Sequence, residues 1–323
     1  MRCIKLLSKD NIKIFLKFVE IQTKIASVFP MLIGIMWALY RYQAFNGFNT
    51  FLFIIAVLFF DMCTTAINNT MDYYKAKSER YIKEENVIGI YNLSPRNMVI
   101  ILFVLLAIAI IFSILLVFKT DPILLILGAI CFFIGVMYTY GPTPISRTPY
   151  GEFFSGFTMG FGIFFLAVFI QDPALLISTQ WDVPLMTLNW HWLNTIEIFM
   201  MSLPLVSLIA NIMLANNIRD LDTDIENERF TLVYYVGRPF AIILYQVLSA
   251  LPWLFFLLFL LLGNLPWWCA IAFIGVVPHY RSVMTYRQKY MEKPAFGEAI
   301  KSFILFASIY LLILIIVNVS TLF

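Results

Sequence analysis

Long apolar runs, separated by short polar segments, fill most of this chain. A helix that crosses a bilayer needs about 20 apolar residues, and nine runs approach that length. They cover residues 20–40, 51–74, 97–118, 122–140, 151–170, 193–216, 238–262, 266–285 and 297–320. Pro and Gly stand at several of their ends, as in Asp121-Pro122 and Gly141-Pro142, where helices commonly begin or end. The pattern predicts an all-α membrane protein with nine transmembrane helices.

The composition agrees with this prediction. Of the 323 residues, 61% are hydrophobic and 13% are charged, whereas soluble domains carry roughly 25% charged residues. We expect a single transmembrane domain over residues 1–323 that lies in the cell membrane as a multi-pass protein.

Positive charge separates the polar segments into two groups. Of the 22 Lys and Arg residues, 20 lie in five alternate segments: 1–24, 75–96, 141–150, 217–238 and 281–301. Cytoplasmic loops carry an excess of Lys and Arg, so we expect the N-terminus in the cytoplasm and the C-terminus outside. The outer segment 171–192 contains no Lys or Arg but has three Trp residues. This composition is typical of a segment at the membrane interface.

Two of the apolar runs end in the same polar pattern, Asn-Asn-x-x-Asp. The first copy is at residues 68–72 and the second at 216–220, 148 residues later. Residues four apart share one face of a helix, so Asn68 aligns with Asp72, and Asn216 aligns with Asp220 and Asp224. The repeat is consistent with two related halves, at about 20–140 and 151–320, that each supply one polar helix end.

The second copy opens a stretch of five acids. They are Asp220, Asp222, Asp224, Glu226 and Glu228. Like charge at a helix C-terminus is unfavourable unless cations neutralise it. A solvated acidic loop is the alternative interpretation, but the repeated spacing favours a metal site. Carboxylate and amide oxygens without His or Cys are typical of Mg²⁺, which also binds through substrate phosphates.

The residues predicted to hold the metal are Asn68, Asp72, Asp220 and Asp224. On a helix, Asp222 points away from Asp220 and Asp224. Basic residues accompany both motifs, and acids and bases at one mouth are suited to a metal-bound diphosphate. The predicted diphosphate contacts are Asn68, Lys75, Lys77, Asn216, Arg219 and Arg229. The chain has no Gly-rich nucleotide loop, and we expect no nucleic acid partner.

These motifs resemble those of the UbiA superfamily of intramembrane aromatic prenyltransferases. Within it, the chain is most similar to the 1,4-dihydroxy-2-naphthoate polyprenyltransferases of menaquinone synthesis. Residues 216–224, with Arg229, Thr231-Leu232 and Gly237-Arg238 downstream, resemble the second Asp-rich motif of the family. The resemblance covers essentially the whole chain.

The other family motifs are matched in part. Asn68 and Asp72 match the first Asp-rich motif, with 93–96 farther along, and 140–142 with Gly151-Glu152 match another family stretch. The first family motif usually carries further aspartates, where this chain has Asn69 and Ala76 or Lys75. The Tyr-x-x-x-Lys motif of the family is not clearly present, and Arg147 is the candidate to replace its Lys.

The resemblance implies transfer of a polyprenyl group from polyprenyl diphosphate to 1,4-dihydroxy-2-naphthoate, with loss of the carboxylate, to give demethylmenaquinone. It further implies Mg²⁺ as the cofactor, Asp72, Asp220 and Asp224 as catalytic residues, and an active site that faces the cytoplasm. Another aromatic acceptor, such as 4-hydroxybenzoate or a haem precursor, is the alternative within this class. A secondary transporter, which also has repeats and polar helix breaks, and a membrane scaffold are the alternatives outside it.

Three further residues are candidates for contact with the acceptor. Asp61 precedes Asp72 by eleven residues, which places it about 16 Å deeper along a helix. An acid inside the membrane is a functional candidate, and a neutral structural Asp is the alternative. Glu152 begins the fifth predicted span. Tyr140 lies near the predicted mouth, where an aromatic face can stabilise a cation or simply anchor the chain at the interface.

Overall fold

The computed structural model describes residues 9–321, and helices account for most of them. The α-helices are α1 (Lys9–Phe18), α2 (Ile25–Tyr42), α3 (Gly47–Lys75), α4 (Glu79–Glu84), α5 (Val87–Ile90), α6 (Pro95–Lys119), α7 (Ile123–Thr139), α8 (Gly151–Ser155), α9 (Ile163–Phe169), α10 (Trp192–Glu226), α11 (Leu232–Leu261), α12 (Val276–Lys289) and α13 (Phe296–Ser320). A π-helix, Gly156–Gly162, joins α8 to α9. Short 3₁₀-helices lie at Ile21–Lys24, Ile145–Arg147, Pro173–Leu175, Trp267–Gly275 and Lys293–Ala295.

Within the described residues, seven helical segments are long and apolar enough to cross a membrane. They are Ile21–Tyr42, Gly47–Lys75, Pro95–Lys119, Gly151–Phe169, Trp192–Glu226, Leu232–Leu261 and Phe296–Ser320. The chain is therefore a multi-pass, mainly helical membrane protein, and seven of the nine predicted spans are confirmed as long apolar helices.

The other two predicted spans have a different form. The fourth, 122–140, corresponds to α7, which has only 17 residues. The eighth, 266–285, is divided between the 3₁₀-helix Trp267–Gly275 and α12. The total of nine, the side of the membrane on which each loop lies and the division into halves stay predictions. Residues 1–8, which include the N-terminus assigned to the cytoplasm, lie outside the described residues.

Helix α10 lies at the centre of the bundle. It has 35 residues and packs against α11, α13, α8 and the π-helix. Around it, α2 packs against α9 and α13, while α3 packs against α6. In lipid there is no hydrophobic driving force between helices, because the lipid tails are as apolar as the side chains. Membrane helices therefore associate through close packing and small residues. The long α10 carries the second Asn-Asn motif to one end of the bundle.

Two glycines allow the π-helix to approach α10 closely. A Cβ atom on Gly156 would lie 2.6 Å from the Val206 carbonyl oxygen, and one on Gly160 would lie 2.6 Å from the Val206 nitrogen. Those distances are too short for any side chain, so the contact requires glycine at both positions. This packing holds the segment that begins with Glu152 against α10.

A two-stranded antiparallel hairpin lies outside the helical bundle, in a chain that the sequence predicts to be all-α. Strands β1 (Ile177–Asp182) and β2 (Leu185–Trp190) pair with Trp181 opposite Met186. The hairpin falls within the predicted interfacial segment 171–192. It leads directly into the first turn of α10, at the end of that helix farthest from the acidic motif.

Candidate active site

The ends of α3 and α10 meet beside a polar cavity of about 70 Å³. Four carboxylates line it, from Asp72, Glu85, Asp220 and Asp224. Two guanidinium groups, from Arg147 and Arg229, and the neutral residues Tyr81, Thr223 and Asn227 complete the lining. The structure thus brings together acids from both Asn-Asn motifs, which are far apart in the sequence.

Asp72 is oriented by two neighbouring donors. The Asn68 side chain donates from Nδ2 to Asp72 Oδ2 over 3.0 Å, as expected for residues four apart on a helix. Arg147 donates from Nη2 to the other oxygen, Oδ1, over 3.3 Å. Arg147 also donates from Nη1 to the Asn227 backbone oxygen. A single arginine therefore links the first motif to the segment that follows the second.

Asp220 is paired with the arginine that precedes it. Arg219 donates to both Asp220 oxygens at 2.6 Å and to Asn216 Oδ1 at 2.7 Å. Its guanidinium carbon also lies 4.7 Å from the centre of the Phe296 ring, a favourable arrangement for a cation over an aromatic face. In this structure the predicted diphosphate contact Arg219 is bonded to Asp220 and to Asn216, the other predicted contact of this motif.

Asp224 is the most deeply buried acid of the cavity, at 6% exposed. Its Oδ1 atom lies 3.6 Å from Arg229 Nη1, while Oδ2 is buried and has no hydrogen-bond partner in the protein. A buried charged oxygen without a partner is costly. A cation or donor in the cavity would remove that cost.

Arg229 carries the positive charge on the opposite wall. Its Nε donates to the Ser146 backbone oxygen over 3.0 Å. Burial by itself would lower the pKa of this guanidinium, but the carboxylates of Asp224 and Asp72 outweigh that effect and raise the pKa above its usual value. Arg229 is therefore a permanent cation. Burial, assisted by the charge on Asp72, raises the pKa of the Tyr81 phenol to about 12, so Tyr81 stays a neutral donor at physiological pH.

The second asparagine of each motif does not line the cavity and is hydrogen-bonded to a neighbouring segment. Asn69 donates to the Phe18 backbone oxygen over 2.9 Å and to Glu20. Asn217 donates to Glu152 Oε1 over 2.8 Å. Both asparagines are buried. In each motif, the first asparagine therefore lies beside the acid, and the second fixes a neighbouring segment.

Several predicted residues lie at the rim or outside the cavity. Lys75 donates to the Gly141 backbone oxygen over 3.2 Å. Lys77 forms an exposed ion pair with Glu228. Tyr140 is 56% exposed. The cavity lining includes none of these residues, so their contact with substrate stays a prediction that needs a different arrangement of the loops.

Asp61 lies inside the membrane span in a closed polar network. Lys24 Nζ lies 2.6 Å from Asp61 Oδ1 and donates to Thr65 Oγ1 over the same distance. Ser27 donates to Asp61 Oδ2, also over 2.6 Å. Both carboxylate oxygens are thus satisfied within the protein, as expected for a structural ion pair.

Sequence reasoning missed Tyr81, Glu85, Thr223 and Asn227 as lining residues, and it identified Arg147 only as a replacement for a missing Lys. Thr223 lies three residues after Asp220, on the same helix face, so its spacing could have revealed it. Tyr81, Glu85 and Asn227 come from connecting segments without any periodic pattern. Only the tertiary arrangement brings them to the cavity.

The residues of the cavity fit a divalent metal that is bound partly by substrate, and not by protein groups alone. Among the described residues, no group of three His, Cys, Asp or Glu side chains converges on a single point that could hold an ion. Mg²⁺ does not require such a cage, since it keeps several waters and binds through one or two carboxylates together with substrate phosphates. The unpartnered Asp224 oxygen and the neighbouring acids match that mode of binding.

A larger cavity of about 330 Å³ lies elsewhere, between the 3₁₀-helix Trp267–Gly275 and α13. Only apolar residues line it, including Ile271, Pro278 and Ile309. It offers no group that could bind a diphosphate or a metal.

Comparison with known families agrees with the geometry. Residues 27–307 match the model of the UbiA prenyltransferase family. The chain belongs to this family. The resemblance predicted from the two Asn-Asn motifs is thereby confirmed, and membership favours an enzyme over a transporter or a scaffold.

Two curated members of the family are similar to the chain. The 1,4-dihydroxy-2-naphthoate octaprenyltransferase of Bacillus subtilis is 25% identical over 275 residues, which cover 83% of this chain and 80% of that protein. The enzyme of the same name from Mycobacterium tuberculosis is 24% identical over 209 residues, which cover 64% of each chain.

Solved structures share the fold. The apo UbiA homologue from Aeropyrum pernix superposes with a TM-score of 0.65 at 16% identity, over 94% of this chain and 98% of that one. A UbiA homologue from Archaeoglobus fulgidus bound to DMAPP and Mg²⁺ gives a TM-score of 0.63 at 12% identity, over 93% and 98% of the two chains.

Asn227 is predicted to hold the segment after α3 against the end of α10. Its Oδ1 accepts from the Lys77 backbone N–H at 3.0 Å and from that of Ser78 at 3.4 Å. Asn227→Ala removes this acceptor, so amide hydrogen exchange at Lys77 and Ser78 should accelerate about tenfold. Mass spectrometry of the exchanged peptides measures this change.

Asn227→Asp is the matched control, since it retains an oxygen at the same position. Exchange at residues 77 and 78 should stay close to the wild-type rate in this variant. Equal exchange in wild type and Asn227→Ala would show that the bond does not restrain the segment.

Proposed function

We propose that this protein transfers a polyprenyl group from a polyprenyl diphosphate to 1,4-dihydroxy-2-naphthoate, which loses its carboxylate as CO₂ to give the hydroquinone form of demethylmenaquinone. The observation that carries the proposal is the cavity in which acids of both motifs face two partly buried arginines, Arg147 and Arg229. The similarity to two enzymes named for this naphthoate acceptor supports the choice of acceptor. The proposed site faces the cytoplasm, where both substrates and Mg²⁺ would reach it.

Residues of the cavity would stabilise the diphosphate as it leaves the prenyl group. Ionisation breaks the allylic C–O bond, so positive charge develops on the prenyl carbon and negative charge on the departing diphosphate. Arg147 and Arg229 line the cavity, and fixed cations there would stabilise the leaving group as its charge develops. Tyr81, neutral because its pKa is about 12, could donate a further hydrogen bond.

The residues proposed to hold divalent metal are Asp72, Asp220 and Asp224, with Asn68 at the first motif. Bound Mg²⁺ would withdraw charge from the diphosphate and make it a better leaving group. The structure of the Archaeoglobus homologue was solved with DMAPP and Mg²⁺. This supports the proposal that a prenyl diphosphate and Mg²⁺ bind together here. No carboxylate in this set needs to act as a base at this stage.

The acceptor would then attack the prenyl cation with an electron-rich ring carbon. A new C–C bond forms, and the ring carboxylate leaves as CO₂. Glu152 is the acceptor candidate with the best support, since its Oε2 is buried without a hydrogen-bond partner. The buried Tyr138 hydroxyl also lacks a partner and lies 3.6 Å from the Cβ position of Gly151. Together they could bind acceptor hydroxyl groups.

Removing charge from the cavity acids should abolish most of the activity. Asp72→Asn, Asp220→Asn and Asp224→Asn should each lower kcat by about 100-fold or more, the scale seen when a key electrostatic group is lost. Release of pyrophosphate by the purified protein measures the rate, and EDTA should stop the reaction in the wild type.

Asp222→Asn is the control for these variants. Asp222 is exposed and pairs with Arg238 at 2.9 Å, away from the cavity, so its loss should leave the rate nearly unchanged. Wild-type turnover in all three cavity variants would contradict the site, and activity that survives EDTA would contradict the role of metal.

An acceptor panel tests the substrate. With one polyprenyl diphosphate, kcat/KM for 1,4-dihydroxy-2-naphthoate should exceed that for 4-hydroxybenzoate by at least about tenfold, because the binding site discriminates between the two ring systems. One CO₂ should be released for each pyrophosphate. A preference for 4-hydroxybenzoate, or prenylation without CO₂, would contradict the proposed acceptor while leaving the prenyl transfer intact.

A further inference from the structure

The two Asn-Asn motifs are unequal in their acids. In the second, the four-residue spacing continues from Asn216 through Asp220 to Asp224, whereas in the first it passes from Asn68 through Asp72 to Ala76. Helix α3 also ends at Lys75, so Ala76 has extended backbone, with ψ of 134°. The α3 side of the cavity therefore lacks the carboxylate that Asp224 supplies on the α10 side.

Glu85 brings a carboxylate to that side from another element. It follows directly after α4 and lines the cavity together with Asp72, Asp220 and Asp224. Its backbone N–H donates to the Tyr81 backbone oxygen over 3.0 Å. Tyr81 lines the same cavity, so one turn of helix presents both side chains to it.

The first motif itself fixes this position. Asn86, which follows Glu85, is buried and donates from Nδ2 to the Asn69 backbone oxygen over 3.0 Å. The Asn86 Oδ1 accepts from the Ile88 N–H and so begins α5. Asn69 is in turn bonded to Phe18. The segment that carries Glu85 is therefore attached to the first motif, which has Asp72 but no second acid.

We propose that Glu85 replaces the missing carboxylate of the first motif and, with Asp72, holds divalent cation on the α3 side of the cavity. This inference rests on the proposed function, since it assumes that the cavity binds a metal diphosphate. The buried, unpartnered Asp224 Oδ2 is independent evidence that the cavity receives a cation or donor. Metal ions bound by carboxylates on two sides of the cavity would attract the oxygens of a diphosphate between them.

Binding of Mn²⁺ tests the inference without reference to catalysis. Full-length protein in lipid nanodiscs is titrated with Mn²⁺ in the presence of inorganic pyrophosphate, and electron paramagnetic resonance reports the free ion. Glu85→Gln should raise the Kd for Mn²⁺ about tenfold, and Glu85→Asp should retain most of the affinity. Glu84→Gln is the matched control, since Glu84 is exposed and pairs with Arg80 on the surface.

The outcomes separate the two proposals. If Asp224→Asn weakens Mn²⁺ binding but Glu85→Gln binds as the wild type does, Glu85 is not part of the site and the proposed function stands. If Asp72→Asn, Asp224→Asn and Glu85→Gln all bind Mn²⁺ normally, the metal site itself is wrong. An unchanged thermal unfolding midpoint in each variant shows that the fold is intact.

A second inference concerns the hairpin at the opposite end of α10. Successive side chains of a strand point to opposite faces, and the register places Trp181 opposite Met186 and Thr179 opposite Leu188. One face therefore carries Ile177, Thr179, Trp181, Met186, Leu188 and Trp190. The other face is mainly polar, with Ser178, Gln180, Asp182, Thr187 and Asn189, and Leu185, opposite Asp182, is its one apolar member. The hairpin is amphipathic.

The apolar face is turned towards the helix ends. Thr179, which belongs to that face, donates from its N–H and its hydroxyl to the two oxygens of Asp121, at 2.7 and 3.0 Å. Asp121 lies between α6 and α7. Trp181 and Trp190 on this face are 64% and 57% exposed. Strand β1 contacts α7, in which Leu125 is 60% exposed.

We infer that the apolar face of the hairpin lies in the headgroup boundary of the bilayer, in the leaflet opposite the acidic cavity. Trp residues are enriched at that depth, because the ring is apolar and its N–H is polar. The absence of Lys and Arg from residues 171–192 agrees with an outer surface. The two exposed Trp side chains, beside a helix that itself exposes Leu125, favour lipid as the occupant.

Spin labels on consecutive positions test this placement. Single cysteines at positions 186, 187, 188 and 189, in a variant without the native cysteines, are labelled in nanodiscs. Labels at 186 and 188 should collide mainly with O₂, as a reference label at Leu125 does, and labels at 187 and 189 mainly with a water-soluble nickel complex. Equal access of nickel to all four would overturn the inference, as would exclusion of both reagents from 186 and 188, which would indicate a protein partner.

Discussion

The candidate site depends on a balance between negative and positive side chains where α3 and α10 end. Three carboxylates, from Asp72, Asp220 and Asp224, lie around one small cavity at helix C-termini, where the helix dipole disfavours them. Arginines from three separate segments offset this cost: Arg219 pairs with Asp220, Arg147 with Asp72, and Arg229 with Asp224. One oxygen of Asp224 stays without a partner, and a cation or hydrogen-bond donor in the cavity would complete the balance.

Contacts elsewhere in the bundle hold the segments that surround these charges. Asn69 and Asn217 attach the two motif helices to neighbouring segments, and the glycines of the π-helix allow Glu152 to approach α10. Asn227 then links the end of α10 to the segment after α3. Each of these contacts is made by a polar group or a small residue, which is how helices associate when lipid surrounds them.

Much of the site could be predicted because it follows helical spacing. The repeated Asn-x-x-x-Asp pattern identified Asp72, Asp220 and Asp224 before any tertiary contact was considered, since residues four apart share a helix face. The residues that were missed, such as Tyr81 and Glu85, come from short connecting segments whose direction no periodic pattern specifies. Lys75 and Lys77 were predicted from proximity in sequence, but in this structure Lys75 is bonded to the Gly141 backbone and Lys77 is paired with Glu228, and neither lines the cavity.

The sequence alone determined that the chain is a helical membrane protein, which helices end in acids, and which family it belongs to. The first two properties follow from hydrophobic length and residue spacing, which are local, and the third follows from the resemblance of the Asn-Asn motifs and their neighbours to those of a known family. Only the tertiary structure decided that Arg147 neutralises Asp72, that Asp61 is enclosed by Lys24 and Ser27, and that residues 177–190 form a hairpin. Those outcomes depend on contacts between distant segments, where packing selects one partner for each buried polar group.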